Sequence, residues 1–374
     1  MLNIADTLHR WCREARPFAL ATVVDVTGSA PLPAGTSVAV DEDGTAVGSV
    51  SGGCVEGAVH ELSRQVLRDG GAPQRTRFGY SDDDAFAVGL TCGGELDVLV
   101  QRIDSAAQPH LATALSEITQ GRPAAVAQVV DGPEHLLGST LSVLGGDRAT
   151  HGRVDDGPAD RVIADRARAL LRTGRTARVD IGGEGDGCPD RLSVLVHVQA
   201  DPPRLLVFGA VDFAAALSRA GRFLGYHVTV CDARPVFATP TRFPHAHEVV
   251  VDWPHRYLEN TGVDERTAVC VLTHDAKFDI PLLRLALDLP VAYVGAMGSR
   301  RTHDKRLRLL REAGVGEDRL ARLRSPIGLD LGARTPEETA VSITAEIIAQ
   351  ANQGTGRPLT RITGPIHQPS RGHR

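Results

Sequence analysis

From Arg204 onward, short apolar runs alternate with amphipathic stretches at helical spacing. RLLVFGA (204–210) is an apolar run ending in glycine, a helical stretch follows through Leu224, and YHVTVCD (226–232) is the next run. A strand, a helix and a second strand in that order form a βαβ unit. Further runs in TAVCVLTHDAKFD (267–279) and VAYVGAMGSRR (291–301) extend the alternation, which implies a parallel sheet. Residues 18–100 read differently. Their apolar runs are short and separated by glycine-rich turns, and Asp43-Gly44 between two strand-like stretches is a hairpin signal. Residues 107–200 add a helix, strand-like stretches over Ala124–Val130 and Leu141–Leu144, a helix near 160–173 and two further strands. The pattern predicts a mixed α/β N-terminal domain over 1–200 and a C-terminal α/β domain over 201–352, divided at Asp201-Pro202-Pro203. Residues 353–374 hold four arginines, no acid and no apolar period, which reads as a disordered tail.

Composition narrows the classes. A 374-residue chain that is 42% hydrophobic can bury at least one sizeable core. A formal charge of −5 and 4% aromatic residues argue against nucleic-acid binding, which favours a basic face and stacking rings. The first 18 residues form an amphipathic helical pattern with charges throughout, unlike a secretory signal, and no apolar run reaches membrane-spanning length. A cytoplasmic protein, not membrane-bound, is expected. Cys12, Cys54, Cys92, Cys188, Cys231 and Cys270 are scattered without a CxxC pair, so neither a disulfide framework nor a zinc site is indicated.

In the C-terminal half the βαβ unit reads as a Rossmann-type domain built to hold a nucleotide-like ligand. Gly209 stands where the backbone approaches a pyrophosphate, and Asp232 where an acid takes ribose hydroxyls. The turn reads Gly209-Ala210-Val211-Asp212, however. Val211 places a Cβ where a second glycine is wanted, and Asp212 repels an anion unless a cation offsets it. Thr273, His274 and Asp275 end a strand, the edge where open α/β sheets bind ligands, and are either site residues or a satisfied turn. Gly295-Ala296-Met297-Gly298-Ser299 reads as a loop before a basic helix. That arrangement suits an anion, or else is a tight turn with Ser299 as N-cap. Thr335-Pro336-Glu337-Glu338 is a capping box opening the last helix.

In the N-terminal half, GSVSGGCVEGAV (48–59) passes from a strand through Gly52-Gly53 into a helix, placing Cys54 at a helix N-terminus that favours thiolate. Cys92 precedes Gly93-Gly94, where bare backbone can lie against a flat molecule. The two thiols are expected to converge on one ligand. The plainer alternative makes both small buried apolar residues beside tight turns. Asp82-Asp83-Asp84 reads as a solvated polar turn rather than a metal site.

Six ordered blocks resemble the XdhC/CoxI family of xanthine dehydrogenase accessory proteins: GSAPLPAG, GSVSGGCVEG, LTCGGELDV, LTHDAKFDIPLL, YVGAMGSRRTHDKRL and SPIGLDLGARTPEETAVSITAEI, spanning residues 20–350. The resemblance implies a non-catalytic assembly factor, often dimeric. Such a factor binds molybdenum cofactor (molybdopterin), protects it during sulfuration with a cysteine desulfurase as sulfur source, and delivers it to a xanthine dehydrogenase-type molybdenum hydroxylase. Residue by residue, it implies cofactor handling by Gly28, Ser29, Gly52, Gly53, Cys54, Glu56, Cys92, Gly93 and Gly94, with Cys54 and Cys92 as soft ligands toward molybdenum or sulfur. Two departures stand out: Leu32 replaces an arginine common in relatives, and the family's Gly-Ala-Gly-His turn is Gly209-Ala210-Val211-Asp212 here. Two other readings stay open. One is an NAD(P)-dependent oxidoreductase with His274 as proton donor. The other is an interaction module whose basic helix, Arg300 to Arg311, forms a partner surface.

Overall fold

The computed structural model describes all residues except 29–31, 54, 80–94, 146–148, 156, 183–187, 189–190 and 364–374. The chain divides into two compact units, with Met1–Asp201 in the first and Pro202–Ile362 in the second.

The first unit contains two five-stranded antiparallel sheets over the described residues. Strands β1 (Phe18–Thr27), β2 (Ser37–Asp41), β3 (Ala46–Gly48), β4 (Gln74–Phe78) and β5 (Glu95–Ile103) form one, in the order β3-β2-β1-β5-β4. Strands β6 (Ala124–Asp131), β7 (Thr140–Leu144), β8 (Thr150–Gly152), β9 (Ala177–Ile181) and β10 (Leu192–Gln199) form the other, in the order β8-β7-β6-β10-β9. Helices α1 (Ala5–Arg13), α2 (Glu56–Asp69), α3 (Pro109–Thr119) and α4 (Ala159–Thr173) pack on them. The hairpin expected at Asp43-Gly44 joins β2 to β3, with Gly44 at φ +84.

Strand β1 shows why its sequence lacks the usual alternation. Ala19, Ala21 and Val23 share a core with Val59 and Val66 of α2. The opposite face, Phe18 and Leu20, meets Leu8 and Trp11 of α1, Leu111 of α3, and Ala124 and Val126 of β6. A strand covered on both faces is a continuous apolar run, here FALATVV.

The second unit is a Rossmann-type domain with an all-parallel six-stranded sheet. Its strands are β11 (Arg204–Phe208), β12 (His227–Asp232), β13 (Glu248–Val251), β14 (Ala268–Val271), β15 (Tyr293–Ala296) and β16 (Leu323–Arg324), in the order β13-β12-β11-β14-β15-β16. Helix α5 (Asp212–Phe223) and α10 (Pro336–Ala351) share one face core. Helices α6 (Pro254–Asn260), α7 (Ala276–Asp288), α8 (Arg300–Glu312) and α9 (Glu317–Leu320) share the other. The first three strands run outward one way from β11 and the last three the other way, so the topological switch point lies between β11 and β14. Ligands of such sheets bind outside the carboxyl ends of the strands at this point.

Gly295 differs from its sequence reading. It belongs to strand β15 rather than a loop. A methyl group there would stand 2.5 Å from Ile327 Cδ1, so the glycine makes room for an apolar side chain. Past α10, the described chain continues through a 3-10 turn over Leu359–Arg361.

Candidate functional site

The loop between β3 and α2 is built around one carboxylate. Glu56 opens α2, and its side chain turns back to receive N–H groups of Val50 (3.3 Å), Ser51 (2.9 Å) and Gly53 (2.8 Å). The hydroxyls of Ser49 (2.6 Å) and Ser51 also donate to it. Gly52 N–H donates to Ser49 Oγ and Val55 N–H to Ser51 Oγ. Burial works against ionisation of Glu56, but the serine hydroxyls and backbone amides outweigh it and lower its pKa to about 2. The loop amides of Val50, Ser51 and Gly53 are therefore engaged by the protein's own charge. Gly52 and Gly53 hold φ of +77 and +127, and a methyl group on either would meet nothing within 4 Å. They are glycines for backbone conformation, and their α-carbons face open space.

The second glycine turn is the reverse. Gly209 has φ +114, and a methyl group on it would lie 2.8 Å from Thr273 Cγ2 and 3.2 Å from Thr273 N. The ends of β11 and β14 thus touch at the switch point, and the close approach provided by Gly209 is taken by Thr273. Asp232 is 3% exposed and accepts Ala210 N–H at 2.8 Å, the N–H of Arg234 at 2.9 Å, and the Arg234 guanidinium at 2.9 and 2.8 Å. Burial opposes its ionisation, yet Arg234 and the Ala210 amide hold its carboxyl below the usual range. Asp232 thus ends β12 with both of its oxygens already partnered within the protein. Asp212 does have an offsetting cation, Arg242 at 3.4 Å.

Beneath this edge lies a buried ion pair that the sequence reading missed. Asp279 of α7 and Arg306 of α8 are 4% and 3% exposed at their side chains and meet at 3.0 Å. The Thr273 hydroxyl donates to Asp279, while Arg306 also donates to Met297 O (2.9 Å) and Ser325 Oγ (3.0 Å). The pair ties together the segments following β14, β15 and β16. Its only signal in sequence is spacing: Asp279 precedes Leu283 and Leu287 by four and eight positions, and Arg306 precedes Leu310 by four, so each lies on its helix's buried face.

Other expected residues fall as follows. Asp275 caps α7, accepting Lys277 N–H at 3.1 Å, and Ser299 caps α8, accepting Thr302 N–H at 3.2 Å. His274 is exposed at the start of α7, and Gly28 is exposed just past β1. Ser29, Cys54, Cys92, Gly93, Gly94 and the Asp82–Asp84 run lie outside the described residues. Burial pushes the thiols of Cys12 and Cys231 up to about 11 and about 12, and raises that of Cys270, so these three are unreactive. No helix among the described residues is long and apolar enough to cross a membrane, and no group of three or more His, Cys, Asp or Glu among them is arranged to hold a metal ion.

A two-sheet N-terminal unit followed in the chain by a Rossmann domain is an order of folds found in known proteins. The sequence model of the XdhC Rossmann domain matches residues 205–347, and that of the XdhC and CoxI family matches residues 11–79. The chain belongs to the XdhC/CoxI family. It is 27% identical over 353 residues to a Bacillus subtilis protein described as a probable xanthine dehydrogenase subunit, covering 93% of this chain and 97% of that protein. It is 26% identical over 328 residues to the molybdenum cofactor insertion chaperone PaoD of Escherichia coli, covering 88% and 81%. It is 31% identical over 262 residues to the uncharacterised Escherichia coli protein YqeB, which covers 66% of this chain but only 47% of YqeB, so the chain spans about half of that relative. A crystal structure from Bacillus halodurans described as a xanthine dehydrogenase superposes with a TM-score of 0.63 over 96% of this chain and 97% of that one, at 24% identity, a likeness of fold.

Proposed function

We propose that this protein binds molybdenum cofactor, protects it during sulfuration and inserts it into a molybdenum hydroxylase of the xanthine dehydrogenase type, without turnover of its own. The observation that carries this reading is the alignment of 88% of the chain with a named molybdenum cofactor insertion chaperone. The first unit offers a fitting surface, since Gly52 and Gly53 present bare backbone to open space on a loop held rigid by Glu56. Beside it in sequence Cys54, with Cys92, supplies the soft sulfur donors that suit molybdenum and sulfur chemistry. The cofactor, when bound, brings the metal centre to be handed on; the chain's task is to hold and shield it. A cysteine desulfurase as sulfur source and a homodimer as working form belong to the same proposal.

The turn Gly209-Ala210-Val211-Asp212 disfavours the oxidoreductase alternative, because Val211 carries a Cβ where a pyrophosphate needs bare backbone and Asp212 adds a negative charge there. Mass spectrometry of purified protein tests the reading, with a molybdopterin-type species expected to co-purify. Replacing either thiol by a serine hydroxyl, which stays protonated and is a poor soft ligand, is expected to reduce its retention, Cys54→Ser more than Cys92→Ser because Cys54 stands in sequence just before the N-terminus of α2, which favours thiolate. Sustained hydride transfer from NAD(P)H to a small substrate would defeat it.

A further inference from the structure

Beside the closed Gly209 turn, the segment following β12 carries two arginines around one exposed ring. The Arg234 guanidinium lies 4.7 Å and the Arg242 guanidinium 5.6 Å from the centre of the Phe237 ring. Phe237 is 40% exposed. Arg234 is held by Asp232 through Nε and Nη2, which leaves Nη1 without a hydrogen bond among the described residues. Arg242 reaches Ala210 O and Phe237 O through Nη1, both at 3.3 Å, and Asp212 through Nη2 at 3.4 Å, and its Nε makes no hydrogen bond among the described residues. All three Arg242 contacts are long for charge-assisted bonds, which settle at about 2.7–2.9 Å. Its acid partner Asp212 is 87% exposed at the side chain.

We propose that Arg234, Arg242 and Phe237 form a subsite for a phosphomonoester borne on a flat heteroaromatic ligand. Two guanidiniums lie 4.7 Å and 5.6 Å from the centre of one ring, each with a donor that has no hydrogen bond among the described residues, and a planar guanidinium matches phosphate oxygens in a way that an ammonium does not. Stacking on Phe237 fixes both before a ligand arrives, so little side-chain entropy is lost on binding. Asp232 is no rival to the phosphate: it has the buried side of Arg234, and its oxygens are filled by Ala210 N–H and the Arg234 N–H. Asp212 is the group that a phosphate would displace from Arg242, with no covalent change. The subsite therefore prefers a phosphate to a hydroxyl at this edge. Two chemical sources share that feature, the 2′-phosphate of a nucleotide and the terminal phosphate of a pterin. The choice of a pterin rests on the function proposed above, whereas the phosphate subsite does not.

Titration of the full chain by calorimetry with four probes tests this: 2′,5′-ADP, 5′-AMP, the air-stable oxidised pterin phosphate released from molybdopterin, and its dephosphorylated form. At least one phosphomonoester probe is expected to bind roughly tenfold or more tighter than its matched partner, which lacks that phosphate. Arg242→Gln is expected to abolish the preference, Arg234→Lys to weaken it, and Phe237→Leu to lower affinity for both members of a pair. Arg234→Lys keeps a cation beside Asp232, and unchanged thermal melting shows each variant to be folded. Preference in the pterin pair alone assigns the site to a pterin phosphate, and preference in the adenine pair assigns it to a nucleotide; either supports the subsite. Equal binding with and without the phosphate, no binding of any probe, or a preference that survives Arg242→Gln overturns it. Co-purification of a pterin with the wild-type chain is read separately, so loss of the subsite and loss of the chaperone reading are distinguishable.

Discussion

The two glycine turns of this protein look alike in sequence and do opposite things. Gly52-Gly53 and Gly209 all hold left-handed backbone, and both turns lead into a helix whose neighbourhood includes a carboxylate that accepts turn amides. At Gly52-Gly53 the space beyond the α-carbons is open, and the clamp is a local residue, Glu56. At Gly209 the space is filled by Thr273, and the carboxylate comes from another strand, 22 residues away. A glycine required by φ alone leaves a surface on which a ligand can lie. A glycine required by a neighbour's close approach has already spent its advantage on the fold. That difference is why the proposed cofactor surface is placed on the first unit although the second has the Rossmann fold.

The largest expected effect tests what closes the second turn. Thr273 is anchored by Asp279, itself paired with Arg306 in a nearly solvent-free setting. Arg306→Met leaves Asp279 buried without its cation and is expected to lower unfolding free energy by about 3–5 kcal/mol in urea denaturation. The double variant Asp279→Leu with Arg306→Met should recover a large part of that loss, because no unpaired charge remains. A double variant as unstable as the single one would show that the pair's hydrogen bonds to Thr273, Met297 and Ser325, rather than its charges, matter most.

Alanine substitutions compare the turns directly. Gly209→Ala meets both an unfavourable φ and Thr273, whereas Gly53→Ala meets only the φ; the conformational part costs on the order of 1–3 kcal/mol in each. Adding Thr273→Ser removes the methyl group nearest Gly209, so it should relieve part of the cost of Gly209→Ala and none of the cost of Gly53→Ala. Equal responses to Thr273→Ser in melting experiments would erase the distinction between a packed and an open glycine.

Acid should loosen the first loop selectively. The folded-state pKa of Glu56, about 2, lies below its unfolded value, about 4.3. Its ionisation therefore contributes stability above the unfolded value, and this contribution is lost as pH falls toward about 2. Glu56→Gln is expected to cost about 1–2 kcal/mol at neutral pH, and the gap between wild type and variant should narrow across that acid window. A gap that does not change with pH would mean that the carboxylate's charge contributes nothing to the clamp.

The smallest effect concerns Val211→Gly with Asp212→His, which restores the family's turn. It removes a Cβ from the second glycine position and frees Arg242 from Asp212, so any nucleotide affinity should rise by a few fold. No change in affinity by calorimetry would show that this turn does not face a phosphate at all.

The sequence alone carried what depends on local backbone and periodicity. The βαβ alternation from Arg204, the hairpin at Asp43-Gly44 and the Thr335–Glu338 capping box are legible because strand length, glycine conformation and cap chemistry are properties of a few adjacent residues. The six motif blocks were legible too, but not the reasons for their residues. Asp279 in LTHDAKFD and Arg306 in GSRRTHDKR, 27 residues apart in sequence, serve a buried ion pair between two helices, and Gly295 makes room for Ile327. The tertiary structure alone decided which partner fills each glycine's space and which carboxylate takes each amide. Those outcomes depend on which strands become neighbours in the sheet, and no local pattern around Gly209 encodes that β14 will bring Thr273 against it.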